Sequence, residues 1–319
     1  MTHKINRRTR LSFLGDYLGL LGVLALLVVL FSLTTQHFFS LIPFRAIANQ
    51  IPDAVIIASG MTLVLIIAGI DLSVGSLLAL SAAVLGVAMV NWQQPLVVAL
   101  LLALATGLGA GLLNGLVIVR WRLPSFIVTL GMLEAARGAA YLATDSKTQY
   151  IGSQIEAVAE ANILGLGLPF AVALVTVLAL QVLLTQTLFG RHLFALGGNE
   201  ESARLSGVRV ERVRVAVFTL AGGLSGLAAI IHCARLGAAD PNAGIGYELN
   251  AIAAVVIGGT SLMGGRGSVV RTLLGVLIIA VLESGLAQAG AGESTKRLVT
   301  GGVIVAAVIM DYYRNRERL

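Results

Sequence analysis

Apolar runs recur from one end of this chain to the other, separated only by short polar punctuation, and that pattern limits the fold more than any other feature. Roughly 20 apolar residues in helical form cross the hydrocarbon layer of a bilayer. The chain is 57% hydrophobic and 12% charged, where soluble domains carry about 25% charged residues. Its 319 residues hold about eight to eleven such crossings and leave no room for a sizeable soluble domain. The expected fold is all-α: one polytopic transmembrane domain over residues 1–319, doing its work in the membrane or at its faces.

Windows of apolar residues give ten expected spans, near 15–35, 50–68, 73–91, 96–118, 124–143, 169–188, 214–233, 248–263, 268–288 and 296–313. Pro43, Pro52, Pro95, Pro124, Pro169 and Pro241 all fall in connections or in the first turn of a span, where proline does not break a helix. Trp92 and Trp121 fall at span ends, where an amphipathic ring suits the interface. The opening MTHKINRRTR followed by YLGLLGVLALLVVLFSL has the charge arrangement of a signal peptide. Its apolar part is about 17 residues long with no small-residue cleavage pattern after it, so an uncleaved first span is expected. Spans two and three are the weakest division, because AGIDLSVGS (68–76) either turns at the membrane face or breaks a helix inside the bilayer.

Ten spans place both termini on one side, and that side receives 16 of the 22 lysines and arginines. The positive-inside rule makes it the cytoplasm. The cytoplasmic parts are then a basic N-terminus (1–14), a loop (189–213) and a tail (314–319). The net charge of +6 is spent on orientation at span ends, which argues against a nucleic-acid partner. Cys233 is the lone cysteine, so this chain by itself forms no disulfide and no cysteine-based zinc site.

The longest polar interruption is FGRHLFALGGNEESARLSGVRVERVR (189–214), where eight of 26 residues are charged. Within it, EESARLSG (200–207) reads as two helical turns, with acidic residues at the positive end of the dipole and Gly207 able to close the helix in the left-handed conformation. A helix this short is marginal alone and must lie against something. From these residues alone, a solvated basic linker and a docking element are equally admissible.

Glu201, Ser202, Ala203 and Gly207 match the EAA-x-x-x-G pattern of ABC importer permeases, with serine at the middle alanine. GMTLVLIIAGIDLSVGSLLAL (60–80), PSFIVTLGM and ARG (124–138), FALGGNEESARLSGV (194–208) and GYELNAIAAVVIGGTSLMGGRGS (246–268) stand in order along the chain. From about residue 38 onward the sequence resembles the ribose/galactose-type permeases of bacterial ABC sugar importers. The resemblance implies that Glu200, Glu201, Ser202, Ala203, Arg204 and Gly207 form a coupling helix that docks on a cytoplasmic ABC ATPase. It also implies a second copy of this chain or a related permease, a periplasmic sugar-binding protein, the bacterial inner membrane with its lipid, and a monosaccharide as cargo.

No G-x-x-x-x-G-K-[ST] loop occurs, so no ATP-hydrolysing site is expected here; ATP and Mg belong to the partner ATPase, and this chain is expected to carry no cofactor, no metal and no catalytic residue. GGTSLMGGRGS instead permits a tight turn between spans eight and nine. Glycines 107, 111 and 115, and glycines 222 and 226, mark faces for close helix packing, within one chain or across a dimer. Polar residues inside spans are candidates for the path: Asp71, which also reads as a helix cap, Asn114, Glu134, Arg137 and Glu283. Glu134 and Arg137 stand three apart, close enough to pair on one helical face or to touch a polar solute. Glu134 and Glu283 depart from the pattern of the resembling permeases, as does Asn250. His232 beside Cys233 is expected to be ordinary packing, since adjacent helical side chains diverge by about 100° and no second histidine is near. The competing reading is an ion-coupled secondary transporter of a small polar solute.

Overall fold

The computed structural model describes residues 7–35, 38, 40–163 and 166–316. Residues 1–6 of the basic N-terminus and 317–319 of the tail, with Lys4 and Arg318, lie outside the described residues. The order is α1 (Arg7–Thr34), α2 (Leu41–Gln50), α3 (Pro52–Ile66), α4 (Val74–Val90), α5 (Leu96–Trp121), α6 (Ser125–Thr144), β1 (Gln149–Tyr150), α7 (Ser153–Glu160), β2 (Asn162–Ile163), β3 (Leu166–Gly167), α8 (Leu168–Gln186), α9 (Leu188–Gly198), α10 (Glu200–Leu205), α11 (Val210–Leu236), β4 (Ala238–Ala239), α12 (Tyr247–Ile257), α13 (Val269–Gln288) and α14 (Glu293–Arg316). The strands are two short pairs, β1 with β4 and β2 with β3, so the molecule is a helical bundle.

Each expected span falls on a helix, but the helices are not ten equal crossings. Among the described residues six are long and apolar enough to cross a membrane, or seven when α2 and α3, bent by 50° at their break, count as one. Pro52 opens α3 and supplies no N–H to continue the helix from α2, which accounts for the bend. The 17 residues of α4 and 11 of α12 fall short of a full crossing.

Both short helices have a local cause. Residues 67–73 between α3 and α4 are non-helical and largely buried. They run along the start of α6, where Ser125 Oγ accepts from Ile70 N (2.9 Å) and Thr129 Oγ1 accepts from Leu72 N (3.1 Å). The break therefore begins level with the first residue of α6 and climbs about one turn into the bundle. Before α12, Ala238 and Ala239 pair with Tyr150 and Gln149, and Ala239 packs against Gly86 in the last turns of α4. The chain then descends until Gly244 meets Gly75, in the first turn of α4; a Cβ on Gly75 would overlap the Gly244 carbonyl. Gly75 and Gly86 are 11 residues apart, about 16 Å along a helix. Residues 238–246 thus dip from the β1–β4 end deep into the bundle, and α12 starts there. Gly244 and Gly246 take positive φ (70° and 84°), which lets the chain reverse into the helix.

The core lies on α3 and α4, whose residues are buried almost throughout, and on the greater part of α11. The glycine faces meet within one chain. Gly107, Gly111 and Gly115 of α5 lie so close to α11 that a Cβ on any of them would strike backbone of Gly222, Phe218 or Val215. At the opposite end from β1–β4, Gln181 of α8 accepts from Val269 N at 2.9 Å and Ser268 Oγ at 3.2 Å, capping the start of α13 from a neighbouring helix.

Candidate functional site

Among the described residues, three accessible places and one buried pair carry the polar chemistry. The first is the rod α10. Asn199 caps it, its side chain accepting from Ser202 N at 2.8 Å, and Gly207 ends it at φ 84° as the sequence predicts. Ala203 is its buried residue and faces the bundle, whereas Leu205 is 83% exposed, close to the 84% of Met263 in the α12–α13 turn. Exposed apolar side chains of this kind suit contact with a partner where they cluster. The arginines do not all point outward to serve one. Arg204 pairs with Glu200 (3.2 Å) and Glu211 (2.9 Å), and Arg214 pairs with Glu200 (2.9 Å), while Arg209 and Arg212 stay exposed. Partial burial pushes the Glu200 carboxyl up, but hydrogen bonds and attraction from Arg214 and then Arg204 outweigh it and hold the group below its ordinary value.

The rod is seated by glycine backbone. Gly197, two residues before the Asn199 cap, lies against the Ile66 carbonyl at the end of α3, and that carbonyl accepts from Gly265 N at 2.8 Å. Gly264, at φ 83°, abuts Gly197 and Ala68. Three separated segments, the end of α3, the end of α9 and the GGTSLMGGRGS turn, therefore touch through main chain with no side chain between them.

The second place is a polar stripe on the outer surface of the protomer. On α6, Glu134 is the tenth of 20 residues and is exposed; Arg137 and Tyr141 follow on the same face. Arg137 does not close on Glu134 as the three-residue spacing allows. Its guanidinium donates instead to the carbonyls of Pro241 (2.6 Å) and Ala243 (2.8 Å), because the descending segment brings unpaired carbonyls within reach. Tyr141 donates to Asn242 Oδ1 at 2.8 Å, and Glu248 of α12 lies beside Gly75. Charged groups halfway along a spanning helix and open to the surface are costly against lipid, so this face needs water or protein over it.

Asp71 and Asn114 sit elsewhere, fully buried behind α4. Ser73 donates to Asp71 Oδ1 through both N (2.9 Å) and Oγ (2.6 Å), and Asn114 Nδ2 donates to Ser73 Oγ (3.0 Å). Asp71 does not cap α4: its bonds stop at Ser73, and the cap position makes no side-chain bond into the helix. Asp71 Oδ2 and Asn114 Oδ1 have no hydrogen-bond partner among the described residues.

The third place is a cavity of about 630 Å³ between α2, α3, α12, α13 and the start of α14. Glu283 lines it, so the structure gathers the five path candidates into three groups: Glu134 with Arg137, Asp71 with Asn114, and Glu283 alone. Beside the cavity is a cluster absent from the sequence reading. Asp53 Oδ2 accepts from His232 Nδ1 (2.7 Å), Arg235 (3.1 Å) and Tyr247 OH (3.3 Å), tying α3 to α11 and α12. His232 is therefore more than apolar packing. The available signal was a carboxylate in an otherwise apolar run after Pro52 and a His-x-x-Arg pair on one face of α11.

A profile of the family described as branched-chain amino acid transport system / permease component matches residues 44–308. The chain is 41% identical over 304 residues to the ribose import permease protein RbsC of Bacillus subtilis (strain 168), covering 93% of this chain and 92% of that protein. It is 39% identical to the protein of the same name in Escherichia coli (strain K12), with 94% of each covered. The D-allose transport system permease protein AlsC of Escherichia coli (strain K12) is 36% identical, with 93% and 91% covered. No solved structure matches the chain.

Proposed function

The chain belongs to the branched-chain amino acid transport system / permease component family, and we propose that it is the membrane-spanning subunit of an ATP-driven sugar importer. The observation that carries this reading is identity near 40% along more than nine-tenths of both chains with permeases named for ribose. The cargo is a monosaccharide, a pentose or hexose, brought by a periplasmic binding protein.

In this reading α10 is the coupling rod. It docks on a cytoplasmic ABC ATPase with Leu205 and Met263 as apolar anchors, and the ATPase holds ATP and Mg. The rod's main-chain seat on Ile66 and Gly265 passes ATPase movement into α3 and α13. The stripe from Tyr141 to Glu134 lines the path, and a second copy or a related permease covers it. The ten helices at the expected spans act as ten crossings in the inner membrane, α4 and α12 being completed by the non-helical stretches before them, with both termini cytoplasmic. The concentration of lysine and arginine on one side supports that orientation.

The test is reconstitution in proteoliposomes with a cognate ABC ATPase and sugar-binding protein. ATP-dependent uptake of labelled ribose, allose or arabinose is expected, with none under a proton or sodium gradient alone. Gradient-driven uptake by this chain without ATP would overturn the assignment in favour of a secondary transporter. Labelling of Arg204→Cys in intact cells fixes the orientation: a reagent unable to cross the inner membrane should not reach it.

A further inference from the structure

The 630 Å³ cavity falls within the roughly 300–1,000 Å³ of small-ligand sites. Its polar lining comes from separate elements and is mostly uncharged: Gln50 from α2, Tyr247 and Asn250 from α12, Ser284 and Gln288 from α13, with Glu283 as the acid among them. The two cations on its wall each pair with a carboxylate, Arg235 through one guanidinium nitrogen with Asp53 at 3.1 Å and Lys296 with Glu293 at 2.7 Å, while the buried Arg235 Nε keeps a donor without a partner among the described residues. An anion, whether a free phosphate or a lipid headgroup, finds both counter-charges already shared with a carboxylate, whereas the spare Nε–H suits a hydroxyl as well. A cation meets Arg235 and Lys296 beside its only lining carboxylate. A neutral solute with many hydroxyls meets neither obstacle, since amides, hydroxyls and Glu283 both donate to and accept from it. The rest of the wall is apolar, with Ile51, Ile57, Val276 and Ile279 beside alanines 54, 58, 251, 254 and 280, which leave room for the C–H face of a ring. Tyr247 is held before any ligand arrives: its hydroxyl donates to Asp53, and its ring stands edge-on to His232 with centroids 6.3 Å apart.

We infer that this cavity is a holding site for a neutral monosaccharide inside each protomer, oriented by Tyr247 and Asn250 and separate from the polar stripe on α6. The inference rests on the importer reading and adds to it a saturable site within the permease itself. It also gives the Asp53 cluster a role, which is to position Tyr247.

Ser284→Cys supplies a reporter inside the cavity, and native Cys233 is fully buried and stays silent. In the reconstituted complete importer, maleimide labelling of that cysteine is followed with and without ribose, allose or arabinose. A sugar present at ten times its Kd should slow labelling about elevenfold. Ala280→Leu, which fills the apolar wall, should remove the protection while the permease still co-purifies with its ATPase. Labelling unchanged by a sugar that the same preparation transports would overturn the holding site and leave the importer reading intact. Slowing by phosphatidylglycerol but by no sugar would make the cavity a lipid site and also overturn it. Absence of ATP-driven uptake of every sugar tested would remove the importer reading, and the inference with it.

Discussion

Replacing Gly197 and Gly198 separately by alanine should give opposite results, although the two are neighbours in the last turn of α9. A Cβ at 197 would collide with the Ile66 carbonyl, the acceptor of the 2.8 Å bond from Gly265 N, whereas a Cβ at 198 meets nothing within 4 Å. Both variants gain helix propensity, up to about 0.8–1 kcal/mol, and that term cancels in the comparison. What remains at 197 is overpacking, about 1–3 kcal/mol, and the disturbed hydrogen bond, about 1 kcal/mol. Gly197→Ala should therefore be less stable than Gly198→Ala by about 2–4 kcal/mol, a shift worth at least tenfold in the population that keeps the junction. Thermal unfolding of the purified permease reads the stability, and ATP-driven uptake in proteoliposomes at matched insertion reads the coupling. Gly198→Ala should behave as wild type. If Gly197→Ala melts and transports like Gly198→Ala, main-chain contact at Ile66 does not seat the rod, and transmission by that route is wrong.

Gly207 has open space around it but φ of 84°, so Gly207→Val should strain the rod by at least about 1–2 kcal/mol and lower ATP-driven uptake while insertion persists; Gly207→Asn, tolerant of that conformation, should retain most of it. Glu134→Leu removes an exposed charge that Arg137 does not hold, so assembly and melting should be unchanged and only sugar uptake reduced, as measured in the same vesicles. Asp53→Asn takes the charge from a buried acceptor of three donors and should destabilise the permease by about 3–5 kcal/mol, seen as a lower melting temperature in detergent.

Most helices were legible because a crossing needs a long apolar run and little else, and the prolines and tryptophans marked the ends. Two features were hidden by the same rule. The apolar window 248–263 gives no sign that its helix begins deep in the bundle, because ADPNAGIG reads equally as a surface loop and as a descending strand of chain. Only the meeting of Gly244 with Gly75, 169 positions earlier, tells them apart. Arg137 illustrates the second limit. Helical spacing offered Glu134 three residues away, but carbonyls 104 and 106 positions on captured the guanidinium, and local periodicity carries no information about them. Asp53 was invisible for a similar reason, since His232 lies 179 positions away. Rod α10 was the opposite case: its acidic first turn and terminal glycine are local and were legible in the eight residues 200–207, and the one part not read there is the Asn199 cap just before them.

The backbone-close seam between α5 and α11 has a mechanical consequence. Interlocked at glycines 107, 111 and 222, these helices cannot slide past one another without a collision of main chain, so they behave as a single stiff beam. Because only residues 206–209 separate the rod from α11, the proposed coupling role would have a push on this six-residue helix displace α5 and α11 together. Bending during a transport cycle must then occur elsewhere, and a covalent staple across that seam should leave the cycle running.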